Sequence, residues 1–274
     1  TGDEFPRIDR EIDQLPGDAL APTDRRPLTI EDRALYLYTS GTSGLPKAAN
    51  VNHYRVLSII LGAAALMNTQ RSDRMYDCLP MYHVAGGLSA AGAVLINGGA
   101  VIIRERFSAS EFWEDIVRFD CTLFQYIGEL CRYLVNSPPH PRETGHRLRL
   151  AFGNGLRSDV WEDLQSRFRI PRILEFYTAT EGNVSLINFE GKPGAVGRIP
   201  WFLSHRFPTT IVRFEIETEQ VFRNDEGFCV PCATNETGEA IGKIVNDARR
   251  PTSRFEGYAN KADDEKKILR DVFE

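Results

Sequence analysis

The run Tyr38-Thr39-Ser40-Gly41-Thr42-Ser43-Gly44-Leu45-Pro46-Lys47 follows directly on the apolar residues Ala34 to Leu37 and constrains this chain more than any other stretch. Its hydroxyls can donate to phosphate oxygens, its two glycines allow the backbone to approach a ligand closely, and its terminal ammonium supplies the charge a polyphosphate needs. The plain alternative is a Ser/Gly turn between two strands. Surface turns rarely concentrate so many hydroxyls, two glycines, a proline and a lysine, which favours a phosphate-handling loop. A Walker A loop is excluded, because that motif requires Gly-Lys-Ser/Thr opening a helix. Here Leu45-Pro46 separates Gly44 from Lys47, and Ala48 follows the lysine.

At 274 residues the chain is long enough for a large core and one or two domains. A net charge of -5 with mixed signs gives no footprint for nucleic acid, and no basic membrane-binding face stands out. Cys78, Cys121, Cys131, Cys229 and Cys232 form an odd, scattered set, which suits a reducing compartment. Cys229-Val230-Pro231-Cys232 lacks the context of a redox motif or zinc site and is expected to be packing. Val84 to Ile103 runs twenty residues without a charge, long enough to span a bilayer. Its glycines and the Asn97-Gly98-Gly99 turn signal split it instead into a small-residue helix and a strand. The chain begins at Thr1 without a basic-plus-apolar leader, and is read as an internal piece of something longer.

The pattern along the chain predicts an α/β fold: a layered α/β domain followed by a smaller β-rich subdomain. Residues 1–32 read as a polar, Pro-rich lead-in. Arg33 to Tyr38 is expected to be a short buried strand that delivers the loop at its carboxyl end. A helix from Asn50 to Asn68, a strand from Asp73 to Leu79, a helix from Gly86 to Leu95 and a strand from Ala100 to Arg104 continue the alternation. Ser108 to Phe119 reads as an amphipathic helix capped by Ser108 or Ser110. Strands are expected at Thr122–Tyr126, Arg149–Phe152 and Ile173–Tyr177, with helices at Gly128–Asn136 and Asp159–Phe168. Residues 33–199 would form this α/β part. From about Pro200 short alternating segments separated by Asn224-Asp225-Glu226-Gly227 and Asn235-Glu236-Thr237-Gly238 predict hairpins, and Lys261 to Phe273 a charged terminal helix, giving a β-rich unit over 200–274.

Three further segments could carry chemistry. In Pro80-Met81-Tyr82-His83 a lone histidine after a strand is ordinarily a structural residue. Gly153-Asn154-Gly155 can equally be a plain β-to-α turn, or can admit a flat ring against the backbone. Tyr177-Thr178-Ala179-Thr180-Glu181 ends in a carboxylate. Taken with Tyr38 to Lys47, their order and spacing resemble the adenylate-forming superfamily of acyl-CoA synthetases, luciferases and peptide-synthetase adenylation domains. Its signature is Tyr-Thr-Ser-Gly-Thr-Thr/Ser-Gly-x-Pro-Lys. Gly194-Ala195-Val196-Gly197 and Thr237-Gly238-Glu239-Ala240-Ile241-Gly242 resemble its later signals. Asp77-Cys78-Leu79-Pro80, Tyr126 to Leu134 and Thr180-Glu181-Gly182-Asn183 are most similar to its fatty acid transport protein, or very-long-chain acyl-CoA synthetase, branch. The likeness covers residues 33 to 274.

The resemblance implies that a fatty carboxylate attacks the α-phosphate of ATP, giving acyl-AMP and pyrophosphate, and that the acyl group then passes to coenzyme A. Thr39, Ser40, Gly41, Thr42, Ser43 and Gly44 would grip the phosphates with Lys47. Gly153, Asn154, Gly155, Tyr177 and Thr178 would contact the nucleotide, and Tyr82 and His83 would wall the carboxylate end of the substrate pocket. Thr180 would bond phosphate and Glu181 would hold Mg²⁺, a hard cation that takes few carboxylates plus phosphate oxygens. Thr178 departs from the family glycine, so its side chain would narrow the nucleotide edge. The family's ribose-binding segment, hinge and lid with an essential lysine would lie beyond Glu274. This piece alone is therefore expected to be inactive, and to expose apolar patches that favour self-association. The parent is expected in the cytoplasm or peripheral to the cytoplasmic face of a membrane. Two other readings stay open: an adenylate-forming enzyme for a different carboxylate, and a non-catalytic lipid-binding or transport module.

Overall fold

The computed structural model describes residues 7–39, 45–205, 207–245, 247 and 254–274. Its centre is a six-stranded sheet in the order β4-β3-β5-β6-β7-β8, built from β3 (Arg74–Asp77), β4 (Ala100–Ile103), β5 (Leu123–Ile127), β6 (Leu150–Asn154), β7 (Ile173–Thr178) and β8 (Ser185–Asn188). All neighbours pair in parallel except β8, which runs antiparallel at the edge of β7. The inner strands β5 and β6 are mostly apolar because both of their faces are covered, as a parallel sheet requires.

Alternate side chains divide between two cores. Tyr76, Phe124, Tyr126, Ala151 and Ile173 face helices α4 (Phe112–Arg118), α5 (Gly128–Val135) and α6 (Ser158–Phe168). Tyr76, Phe112 and Phe124 meet edge to face there, with ring centroids 4.8–6.0 Å apart, the geometry aromatic quadrupoles favour. Met75, Leu123, Leu150, Phe152 and Leu174 face α2 (His53–Met67), α3 (Ala93–Leu95) and the π-helical run Val84–Gly92 that precedes α3. Helix α2 starts where the Asn52 side chain accepts from the Arg55 amide at 2.8 Å, and ends at Asn68 in the left-handed region.

Several expectations need correction. The chain before the first strand carries a short helix, α1 (Ile8–Ile12), and a 3-10 turn (Pro22–Asp24), although its described side chains up to Glu31 are exposed. The first strand, β1 (Arg33–Thr39), is not buried: only Leu37 is enclosed, while Tyr36 and Tyr38 stand open. It lies outside the central sheet and pairs antiparallel with β2 (Lys47–Asn52), so α2 begins at His53 rather than Asn50. The Ser/Gly run therefore joins two antiparallel strands, which is the topology of the plain turn; its residues 40–44 lie outside the described residues. The small-residue helix starts at Val84 in π geometry, with the Ala93 amide donating to Leu88, five residues back. At its start Gly86 packs so tightly that a Cβ would stand 2.6 Å from the Pro80 carbonyl oxygen. Neither Ser108 nor Ser110 caps α4; their hydroxyls bond each other and Glu111 occupies the cap position. Edge strand β8 was not foreseen.

Beyond residue 200 a three-stranded sheet forms in the order β10-β9-β11, from β9 (Thr209–Glu215), β10 (Gln220–Val221) and β11 (Gly238–Gly242). The stretch Gly227 to Pro231 contributes only isolated bridges to it. The charged tail is helical only in α7 (Lys261–Glu265). Cys229 is buried and Cys232 partly so; both are free thiols, and no group of His, Cys, Asp or Glu among the described residues is arranged to hold a metal. Among the described residues no helix is long and apolar enough to cross a membrane.

Candidate active site

The parallel strands end on one rim, where Asp77, Asn154 and Thr178 close β3, β6 and β7. In such sheets ligands bind beyond the carboxyl ends of the strands. A wide cleft of about 2190 Å³ opens beside this rim, between the residues after β7 and the β9–β11 sheet. Lys47, Tyr177 and Glu181 line it; His83, Thr180 and the Gly153–Gly155 turn do not. Asn183 fastens the rim to the smaller sheet, donating from Nδ2 to the carbonyls of Gly242 and Lys243 at 3.3 and 2.9 Å.

Lys47 and Glu181, far apart in sequence, converge on Tyr258. The Tyr258 hydroxyl donates to Glu181 Oε1 at 2.5 Å, and the Lys47 ammonium lies 5.5 Å from the centre of the same ring. Burial first, and then the Glu181 carboxylate that accepts its proton, raise the Tyr258 phenol well above its ordinary value; the Thr39 hydroxyl acts in the opposite direction. Tyr258 is held by backbone pairing: its segment bridges Ala49, Ala259 donates to the Ala48 carbonyl, and Asn50 donates from Nδ2 to the carbonyls of Glu256 and Tyr258. Residues 256–259 thus run beside β2, joined to it by one isolated bridge at Tyr258 and by these hydrogen bonds.

Arg55, on the first turn of α2, supports the Glu181 loop from behind. Its guanidinium donates to the carbonyls of Thr180 and Gly182 at 3.1 and 2.8 Å, and to that of Arg254 at 3.3 Å. Burial pulls the Arg55 pKa down, and the carboxylates of Glu256 and Glu181 oppose that shift. Glu181 itself is buried. No pattern in the sequence marked Arg55 or Tyr258 as members of the site. The one available hint was positional: Arg55 stands three residues after the helix cap that follows the loop.

The other candidates occupy different surroundings. Thr39 pairs with Lys47 at the open end of the β1–β2 ladder, and its hydroxyl donates to the Lys47 carbonyl at 3.4 Å. Tyr177 and Thr178 are exposed at the end of β7, where they face Leu186 and Ser185 in register. His83 is exposed at the start of the π-helical run, its ring 5.0 Å from that of Tyr82. The glycines of the Gly153-Asn154-Gly155 turn serve the strand packing. A Cβ on Gly153 would stand 2.2 Å from the Tyr126 carbonyl oxygen, and Gly155 has a φ of 77°. Beneath the turn, the buried carboxylate of Glu175 accepts from the amides of Gly155 and Leu156 and from the Tyr126 hydroxyl at 2.7 Å. Burial raises the Glu175 pKa against those three donors.

The donor set also bears on a cation. Glu181 is the only one of the proposed site residues with a carboxylate, and no cluster of three or more acidic, His or Cys ligands surrounds it among the described residues. Such a site fits Mg²⁺, which keeps water and phosphate oxygens as most of its ligands.

Residues 3–247 match the family of AMP-binding enzymes. Long-chain fatty acid transport protein 1 of Bos taurus is 43% identical over 266 residues, covering 95% of this chain and 41% of that protein. Long-chain fatty acid transport protein 3 of Homo sapiens is 42% identical over 248 residues, covering 90% of this chain and 35% of that protein. The chain thus spans about two fifths of the length of these relatives. Among solved structures, ATP-bound MatB from Rhodopseudomonas palustris superposes with a TM-score of 0.68 at 24% identity, over 92% of this chain and 46% of that one. The luciferase-like enzyme of the mealworm Zophobas morio gives 0.66 at 19% identity, over 96% of this chain and 58% of that one. These two likenesses show a shared fold. By the family match, which spans most of its length, the chain belongs to the AMP-binding enzymes.

Proposed function

We propose that this chain carries the nucleotide site of an ATP-dependent fatty acid–CoA ligase. The convergence of Lys47 and Glu181 on one cleft rim around Tyr258 carries this reading, with the fatty acid transport proteins as relatives in support. In the first half-reaction a carboxylate oxygen attacks the α-phosphorus of ATP; the acyl–phosphate bond forms and pyrophosphate leaves. In the second, the thiol of coenzyme A attacks the acyl carbonyl, a thioester forms and AMP leaves. Lys47 offsets the charge of the phosphates from the open end of β2. Glu181, oriented by Tyr258 and backed by Arg55, is the carboxylate that would hold Mg²⁺, which supplies charge neutralisation at the phosphate oxygens. Tyr177, exposed on the cleft, offers a ring face to the adenine, with Thr178 beside it at the strand end.

Acyl-AMP formation by the full-length protein, measured across fatty acid chain lengths, tests this. Lys47→Ala and Glu181→Ala should each lower the rate about 100-fold or more, the cost of removing one well-placed electrostatic contact. Full activity in both variants would refute the assignment. A protein that binds fatty acid but forms no acyl-AMP would favour the lipid-binding reading, and activity only on short or aromatic acids the reading for another carboxylate.

A further inference from the structure

The lysine assigned to the phosphates already has an anionic partner. Lys47 Nζ lies 3.2 Å from Asp263 Oδ1, and both side chains are only about one-fifth exposed. Asp263 belongs to the segment that also brings Tyr258 to Glu181, so one stretch of chain engages both charged residues of the site.

Two neighbouring carboxylates divide the work in this stretch. Asp264 fastens the turn: its Oδ1 accepts from the Tyr258 amide at 2.6 Å and packs against Gly257, whose φ of 68° leaves no room for a Cβ. Asp263 instead faces Lys47 from α7, a helix of five residues. Because Asp264 and the Asn260 cap hold this helix in place, releasing Lys47 needs only a rotation of the Asp263 side chain. The Lys47 backbone is paired in register with Thr39, so its ammonium stays within reach of the cleft when Asp263 turns away.

We propose that Asp263 is a displaceable counter-ion that sets nucleotide affinity: it occupies Lys47 in the place a phosphate takes, and ATP binds by exchanging one anion for another. The inference rests on the reading of Lys47 as a phosphate ligand. A single carboxylate paired at a partly solvated site is held weakly, whereas a polyphosphate presents several charges and more acceptors to the same ammonium. Asp263 therefore lowers affinity for every polyphosphate alike, while neutralising the lysine in the free protein.

Calorimetric titration of the full-length protein with Mg-ATP, and separately with inorganic pyrophosphate, tests the exchange. Asp263→Asn should bind both probes about threefold to fivefold more tightly, in keeping with the loss of one competing ion pair. Asp263→Glu, which retains the charge, should bind as the unaltered chain does, and adding Lys47→Ala to Asp263→Asn should abolish the gain. A purely structural Asp263 would give weaker or unchanged binding with a lowered melting temperature. Binding in the unaltered chain without any gain in Asp263→Asn overturns the inference and leaves the phosphate reading of Lys47 standing. An Asp263→Asn protein that no longer melts cooperatively also overturns it, since a displaceable contact cannot be one the fold depends on. Absence of binding in both proteins removes the phosphate reading itself.

Discussion

The turn after β6 and the cluster around Glu181 sit beyond the ends of neighbouring parallel strands, yet they are built in opposite ways. The turn is sealed by contacts within the sheet: Gly153 lies against Tyr126, and the Glu175 carboxylate is enclosed by the donors of Tyr126, Gly155 and Leu156. The cluster is assembled from four separate stretches, and its Lys47 and Glu181 line a cleft. The glycines and buried acid at one strand end thus answer to packing demands, whereas the charged groups of the cluster meet only through tertiary structure.

The largest effect should break the turn. Gly153→Ala forces a Cβ into the Tyr126 backbone, and should cost about 3–5 kcal/mol or prevent folding, as overpacking of a rigid buried site does. A variant that unfolds with near-normal stability would show that the turn is looser than its contacts indicate. If it folds and loses only nucleotide binding, Gly153 belongs to the site after all.

Asp77, on the same rim, gives the next effect. Its carboxylate is fully buried; Oδ1 accepts from the Leu79 amide at 3.0 Å, while Oδ2 has no hydrogen-bond partner, and burial pushes the pKa up to about 6. Gln125 on adjacent β5 likewise buries its amide without a partner. Because the folded-state pKa exceeds the unfolded value of 3.8, the folded protein holds the proton more tightly. Stability should therefore fall as pH rises from about 4 to about 6, and level off above, by roughly 2–3 kcal/mol. Asp77→Asn should remove that dependence and raise the melting temperature by several degrees at pH 7.5, with little change at pH 4. A pH-independent difference between the two proteins would overturn the assignment to Asp77.

The smallest effect should come from the cluster. Tyr258→Phe removes one hydrogen bond to a carboxylate and should cost about 1–2 kcal/mol in thermal unfolding. Its sharper signature is a raised Mg²⁺ requirement for acyl-AMP formation by the full-length protein, because Glu181 loses the donor that orients it. An unchanged Mg²⁺ requirement would detach Tyr258 from the site.

The central sheet was legible in the sequence because its inner strands are enclosed on both faces, so Leu123 to Ile127, broken only by Gln125, and Leu150 to Phe152 read as apolar runs between clear turn signals. Strands that depend on distant partners were not. In β2 the run Lys47-Ala48-Ala49-Asn50 has no strand pattern, and its backbone is satisfied by β1 on one side and residues 256–259 on the other. Edge strand β8 is short and polar, and exists because β7 offers it a ladder. In the tail, alternating charges suggested a long helix, but Arg223 draws the carbonyls of Arg270 and Asp271 to itself, and Cys229 takes that of Val272. Of the site, Lys47 and Glu181 were visible as residue types at the ends of elements. That Tyr258 joins them was not, since a tyrosine after a glycine carries no signal of what it will meet.

The segment that flanks the β1–β2 hairpin comes from residues as many as 208 positions further along the chain. During synthesis the helices and parallel strands from 53 to 178 can consolidate from contacts close in sequence as they emerge. The β1–β2 pairing is local, but the contacts of Tyr258 with Ala49 and Glu181 must wait for residue 258, because closing so long a loop precedes any reward from the contacts it makes. On the proposed reading, the cluster that would hold ATP is accordingly completed only after Tyr258 has been made, and a ribosome-bound chain stopped short of it would lack the phenol that orients Glu181.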